Sequence, residues 1–203
     1  MSGSRQREWV TDILEGAPSI LFLALWQSNV DIRFAGWGAA ALAAMVLIGF
    51  RFFRVSHNPI VLGINVHLLI ITPLIVALFY LGAQELGRML FAFSHRGVLV
   101  TIFLVGCALT AFSRNGFIGI KGLPNPRRLA YSFVLLAASI AAIAWSFTYN
   151  GAALVAIAIP MMSLFGLRRL LIARWLDRNE RSDGLFAIAP SSALAVDSAS
   201  EAT

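Results

Sequence analysis

Six apolar segments alternate with short charged or Gly/Pro-rich stretches along the chain. They cover residues 17–30, 34–53, 59–83, 97–113, 129–149 and 152–172. Most of them are close to the ~20 residues that an α-helix needs to cross a bilayer. The pattern therefore predicts an all-α fold, a polytopic transmembrane helix bundle of six spans.

The first segment is the shortest of the six. Its apolar core runs only from Ala17 to Trp26, before the polar residues Gln27, Ser28 and Asn29. A core of this length is also typical of a re-entrant or interfacial helix. That alternative stays open for the first segment.

Proline and glycine account for the breaks between the later segments. The stretch from Gly122 to Pro126 contains two prolines, which lack an amide donor and disfavour a helical residue before them. Pro73 and Pro160 lie inside apolar segments, where neighbouring helices satisfy the freed carbonyls. We expect these two helices to bend there and to continue.

Composition supports a membrane environment. Of the 203 residues, 59% are hydrophobic and 13% are charged, and the mean hydropathy is +0.79. A soluble domain carries about a quarter charged residues. The only cysteine, Cys107, lies in an apolar segment and excludes an internal disulfide.

The net charge of +6 comes from arginines that flank the apolar segments, which indicates membrane orientation rather than nucleic-acid binding. If all six segments cross, thirteen of the sixteen basic residues fall on one side. Arg33, Arg88 and Arg96 fall on the other. The positive-inside rule then predicts a bacterial inner-membrane protein with both termini in the cytoplasm.

Three regions follow from this pattern. Residues 1–16 form an N-terminal amphipathic, interfacial segment, because Trp9, Val10, Ile13 and Leu14 recur at helical spacing. Residues 17–173 form the bundle. Residues 174–203 form a juxtamembrane basic helix and an Ala/Ser-rich tail, which we expect to be disordered from Ser182 onwards.

Asn65 and His67 are polar residues inside the third segment. Polar groups at that depth are costly and suggest a functional site. The simpler interpretation, which we favour, is an interhelical hydrogen bond. Two residues apart on a helix, the pair points in nearly opposite directions and does not form one site.

The histidines do not suggest a haem or metal site. In the six-span arrangement His67 lies inside the membrane and His95 at the outer surface, roughly 15–20 Å apart in height. No histidine has a second ligand three or four residues away. Nucleotide-binding loops and catalytic motifs are also absent from the sequence, so we expect no cofactor and no enzymatic activity.

Two further patterns have structural interpretations. Asp31 lies between the first two segments and is expected in a solvated outer turn. Gly36, Ala40 and Ala44 recur every four residues on the second segment, which lets another helix approach closely. Packing within the bundle is the favoured interpretation, and a face for self-association is the alternative.

Arg174, Arg178 and Arg181 follow the last segment at helical spacing, with Trp175 among them. This pattern is typical of a juxtamembrane helix held at an anionic leaflet. A specific lipid head-group site is the sharper alternative to a general orientation signal.

The first segments carry a resemblance to a known family. The run PSILFLALW from Pro18 to Trp26 precedes Val30-Asp31-Ile32, and an Ala-rich helix then ends in Arg51-Phe-Phe-Arg54. This order resembles the intracellular septation protein A family, whose members open with a short aromatic helix, an Asp-Ile turn and an Ala/Thr-rich span closed by basic residues.

The resemblance implies an inner-membrane protein of the cell envelope, linked to septation and envelope integrity. Its expected partners are membrane lipids and other envelope or division membrane proteins, or a second copy of itself. A small-solute or ion transporter is the competing class.

Overall fold

The computed structural model describes residues 14–22, 24–25, 27–28, 30, 32–53 and 58–187. The first helix, α1, includes residues 14–22, 24, 25 and 27. It is followed by α2 (Ile32–Phe53), α3 (Pro59–Tyr80), α4 (Gln84–Phe112), α5 (Asn125–Thr148) and α6 (Ala153–Ala187). The described chain is all-α.

Five of these helices are long and apolar enough to cross a membrane. They are Phe34–Phe52, Pro59–Tyr80, Gln84–Phe112, Asn125–Thr148 and Val155–Arg178. The chain is therefore a multi-pass membrane protein, as the hydropathy pattern predicts. The crossing of α1 stays a prediction, because its described helical stretch is shorter than a span.

The most apolar helix, α3, begins with an N-cap residue and a proline in its first turn. The Asn58 side chain accepts a hydrogen bond from the Ile60 amide, and Pro59 occupies the first turn, where no amide donor is needed. The helix continues through Pro73, and α6 likewise continues through Pro160. Both prolines therefore lie within helices, as predicted.

Consecutive helices pack as antiparallel neighbours, and the contact of α3 with α4 is the most extensive. Glycines bring these two helices together. A Cβ atom on Gly63 would lie 2.8 Å from the Cα of Ile102, and one on Gly97 would lie 3.1 Å from His67 Cε1. Small residues let transmembrane helices gain van der Waals contact in the absence of a hydrophobic driving force.

The fourth span begins earlier than predicted. The sequence pattern placed residues 84–96 in an outer loop, whereas α4 begins at Gln84 and lacks any break before Phe112. The turn from α3 is short, because Gly82 adopts a left-handed conformation with φ of 77°. Arg88, His95 and Arg96 therefore lie on a helix packed along α3, not in a loop.

The last span also departs from the predicted boundaries. One continuous helix joins it to the juxtamembrane segment, so that Ser182 lies within α6 rather than in a disordered tail. Residues 188–203 lie outside the described part of the chain. The same holds for residues 1–13, and with them for most of the predicted interfacial segment.

The antiparallel order gives the bundle two ends. We call the end formed by residues 113–124, the start of α5 and the part of α6 from Arg168 onwards the basic face. It carries Arg114, Lys121, Arg127, Arg128, Arg168, Arg169, Arg174 and Arg178. The end at residues 81–83 and 149–152 is the opposite face. The predicted turn residue Asp31 lies outside the described residues.

Candidate functional site

A buried polar cluster joins α1 to the beginning of α3. Both carboxylate oxygens of Glu15 accept a hydrogen bond from the main-chain N–H of Asn58, at 3.0 and 3.2 Å. The main-chain carbonyl of Glu15 accepts from Asn65 Nδ2 at 3.2 Å. Glu15 and Asn65 are 4% and 1% exposed and Asn58 is half-buried, so the bond to Asn65 is buried and the two bonds to Asn58 are partly buried. We call this set the Glu15 cluster.

The Asn65 amide has an unused acceptor. The side-chain amide of Asn65 donates from Nδ2 to the Glu15 carbonyl, and this bond fixes which of its two terminal atoms is nitrogen and which is the oxygen, Oδ1. That oxygen, Oδ1, is buried and has no hydrogen-bond partner among the described residues. A buried carbonyl oxygen without a donor is costly, which makes it a place where a donor or a small cation would be favourable.

Sequence reasoning missed Glu15, which it assigned to an interfacial segment without a role. The signal was present in the helical spacing. Glu15 and the buried Pro18 lie three residues apart, and Phe22 and Leu25 continue the same stripe. A carboxylate at the start of an apolar stripe faces the neighbouring helix, not water.

His67 contacts a different helix from Asn65. Its Nδ1 lies 2.9 Å from the Thr101 hydroxyl of α4. That hydroxyl also lies 3.0 Å from the Gly97 carbonyl, to which it donates. Asn65 thus bonds to α1 and His67 bonds to α4, so the two polar residues of α3 do not form one site.

The structure corrects the predicted height of His95. His67 packs beside Gly97, two residues along the chain from His95, so the expected separation of 15–20 Å is wrong. The error follows from placing the start of α4 thirteen residues too late. The His67 ring is instead enclosed by α4, in contact with Gly97 and Thr101.

We expect His67→Leu to lower the free energy of unfolding by about 1 kcal/mol, because an interhelical hydrogen bond contributes on that order. Thr101→Val removes the same bond from its other side. The double variant should therefore cost less than the sum of the two single variants, as measured by reversible unfolding in mixed micelles. Strictly additive costs would contradict a direct bond between the two side chains.

The small-residue face of α2 is covered by the chain itself. Gly36 lies against α3, where an added Cβ would be 3.0 Å from Thr72 Cγ2. Ala40 is buried and Ala44 is half-buried. The burial of Gly36 and Ala40 agrees with packing within the bundle, and self-association through this face stays a prediction.

Arginines at the basic face fall into two groups. Arg128 donates to the carbonyls of Ser113 and Arg114, and Arg168 Nε donates to the Ile118 carbonyl at 3.1 Å. These bonds satisfy carbonyls after the end of α4. By contrast, the side chains of Arg174 and Arg178 are exposed.

The extension of α6 is also tied to α5. The Arg127 guanidinium lies 5.5 Å from the centre of the Trp175 ring, within the range of a cation–π interaction. Arg181 continues the row on the same helix, although its side chain lies outside the described part. Arg174 and Arg178 are therefore presented next to the bundle on a continuous helix.

Comparison with protein-family models, with curated proteins and with solved structures found no match for this chain.

Proposed function

We propose that this multi-pass protein acts without enzymatic chemistry in the inner membrane of a bacterial envelope. Its role would be septation or envelope maintenance, carried out through contacts with lipids and other membrane proteins. The resemblance to the intracellular septation protein A family supports the biological setting. It covers most of residues 10–181, and its motifs lie in residues 18–54. The observation that carries the contact role is the length and charge of α6.

The helix α6 is longer than a span requires. It has 35 residues, which corresponds to about 52 Å, against a hydrocarbon core of ~30 Å. About fifteen of its residues are therefore not needed for the crossing. We place them at the basic face, where the apolar stretch Val155–Arg178 ends in Arg174 and Arg178. Because this part is helical and continuous with the span, it holds its side chains at a defined distance from the leaflet.

Charge gives the extension a partner of defined chemistry. Arg174 and Arg178 are exposed, and the cytoplasmic leaflet, where the positive-inside rule places the basic face, carries anionic lipids. Each arginine near such a surface contributes ~1 kcal/mol. We infer that the extension of α6, through Arg174 and Arg178, holds anionic lipid and contacts other proteins of the division machinery.

A deletion strain tests this proposal. We expect disturbed cell shape or lower tolerance of detergent and low osmolarity, restored by the wild-type gene. The double variant Arg174→Gln/Arg178→Gln should fail to restore either property while it still accumulates in the membrane. Loss of two charges corresponds to roughly thirtyfold weaker attraction to an anionic leaflet.

The matched control is Arg114→Gln/Lys121→Gln. Both residues are exposed at the same face, in the segment 113–124, and the control removes the same charge. It should restore the strain as well as the wild-type gene does. Equal behaviour of the two double variants would contradict the role of the α6 extension.

Transport of a small solute or ion is the second candidate, and the Glu15 cluster favours it. A proton- or cation-coupled carrier needs a carboxylate or an equivalent group inside the bundle. Glu15 is such a carboxylate. Asn65, which bonds to the main-chain carbonyl of Glu15, adds the acceptor Oδ1, which has no partner among the described residues. A deletion strain with normal shape and tolerance, but with defective uptake of one solute, would favour transport over the contact role.

A further inference from the structure

Arg96 lies at an unusual place for an arginine. It is close to the middle of α4, which runs from Gln84 to Phe112. Its neighbour Gly97 packs against His67, near the middle of the most apolar helix, α3. On the other side of α4, Arg96 reaches Phe147, in the last turn of α5. Along the bundle axis, the guanidinium therefore lies further from the opposite face than the α3–α4 turn does, and at the height of the last turn of α5.

Among the described residues, the Arg96 guanidinium has aromatic neighbours and no anionic one. The guanidinium carbon lies 5.9 Å from the centre of the Phe93 ring and 5.4 Å from that of Phe147. Nε is buried and has no hydrogen-bond partner, and no ion pair involves Arg96 within the described part of the chain. Cation–π contacts offset only part of the cost of a guanidinium inside a membrane.

Arg88, two turns earlier on the same helix, differs from Arg96 in having an anionic partner. It pairs with Glu85 at 3.2 Å, and both side chains are largely exposed. Arg88 is therefore satisfied by its own helix and by solvent. The described residues offer Arg96 no such acceptor, which points to one from outside the chain.

The surroundings of Arg96 favour a lipid as the source of that acceptor. Phe93 and Phe147 are 49% and 50% exposed, so the two rings that flank the guanidinium form part of the outer surface of the bundle, where acyl chains lie. Trp145 and Tyr149 stack at 5.5 Å next to Phe147, as aromatic residues do at the level of lipid head groups. A soluble anion would have to leave water and cross this apolar rim.

We propose that Arg96, between Phe93 and Phe147, binds the phosphate of a phospholipid from the leaflet at the opposite face. The guanidinium fork matches phosphate oxygens in a bidentate geometry, and the two rings contact the upper part of the acyl chains. The site is separate from the arginines of the basic face. It does not depend on the role proposed above, because any multi-pass protein could use it.

Native mass spectrometry of the protein from nanodiscs containing phosphatidylglycerol tests this site. The parent for this test is Arg174→Gln/Arg178→Gln, which lacks the arginines proposed to hold anionic lipid at the basic face. In this parent we expect Arg96→Gln to retain about tenfold less phosphatidylglycerol, since a charge-assisted hydrogen bond is lost. Arg88→Gln removes the same charge from the same helix and should retain the parent's amount. Equal retention by the two variants would overturn the proposal.

Two measurements on the wild type keep the test independent of the variant's folding. Diacylglycerol with the same acyl chains lacks the phosphate and should be retained about tenfold less than phosphatidylglycerol. Inorganic phosphate should not displace the lipid. Equal retention of the two lipids, or displacement by inorganic phosphate, would show that Arg96 does not select a lipid phosphate.

Discussion

Gly63→Ala is expected to lower the free energy of unfolding by about 2–3 kcal/mol, the upper part of the range for an overpacked core position. The added methyl group would lie 2.8 Å from both the Cα and the Cγ1 of Ile102. A side-chain rotation moves Cγ1 but cannot move Cα. The two helices must therefore separate, and α3 and α4 lose close contact along their shared length.

Gly166→Ala is the matched control for this prediction. Gly166 lies in α6, and nothing is within 4 Å of the position of its Cβ. Alanine there should be neutral or stabilising by up to about 1 kcal/mol, because it favours the helix. Unfolding in mixed micelles, followed by circular dichroism, measures both variants. Similar stabilities for Gly63→Ala and the wild type would show that the α3–α4 contact is looser than the structure has it.

Ile102→Ala offers a second check on the cause. It removes Cγ1 and leaves the Cα and Cβ of residue 102, at 2.8 and 3.2 Å from the added methyl group, in place. We therefore expect the double variant Gly63→Ala/Ile102→Ala to be less stable than either single variant. Rescue of Gly63→Ala by this change would show that the side chain, and not the backbone, limits the approach of the helices.

Hydropathy was sufficient to predict the helical class and the five long spans, because length and apolar content determine whether a helix can cross a membrane. The boundaries of α4 were less predictable. Arg88 and Arg96 interrupt the apolar pattern, and the interruption was interpreted as a loop. A helix continues through charged residues when no proline or competing turn ends it, and residues 84–96 contain neither.

The hydrogen-bond partners of the buried polar residues could not be predicted from the spacing of residues along the helices. The separation of Asn65 and His67 on α3 predicts that they face different directions, and they do contact different helices. Their partners, Glu15 and Thr101, could not be identified in this way. The alignment of one helix against its neighbour is set by side-chain packing, such as the approach at Gly63, and not by the periodicity of either helix alone.

The Glu15 cluster is the other place where one substitution should have a large effect. The carboxylate accepts from the amide of Asn58, which immediately precedes α3, so it satisfies a donor at the start of that helix. The partial positive charge of a helix N-terminus also favours a carboxylate there. The contact joins two helices through residues that are 43 positions apart in sequence.

Glu15→Ala is expected to lower the free energy of unfolding by about 2–3 kcal/mol, because the half-buried main-chain amide of Asn58 loses its charged acceptor. Glu15→Gln keeps an oxygen for Asn58 and should cost less than half as much. Glu85→Ala removes an equivalent carboxylate from an exposed ion pair, and its cost should stay under about 1 kcal/mol. Unfolding in mixed micelles should therefore rank Glu15→Ala as the least stable, then Glu15→Gln, then the wild type, which would support the cap at α3. A Glu15→Ala protein as stable as Glu85→Ala would show that α1 is not held to α3 through this carboxylate.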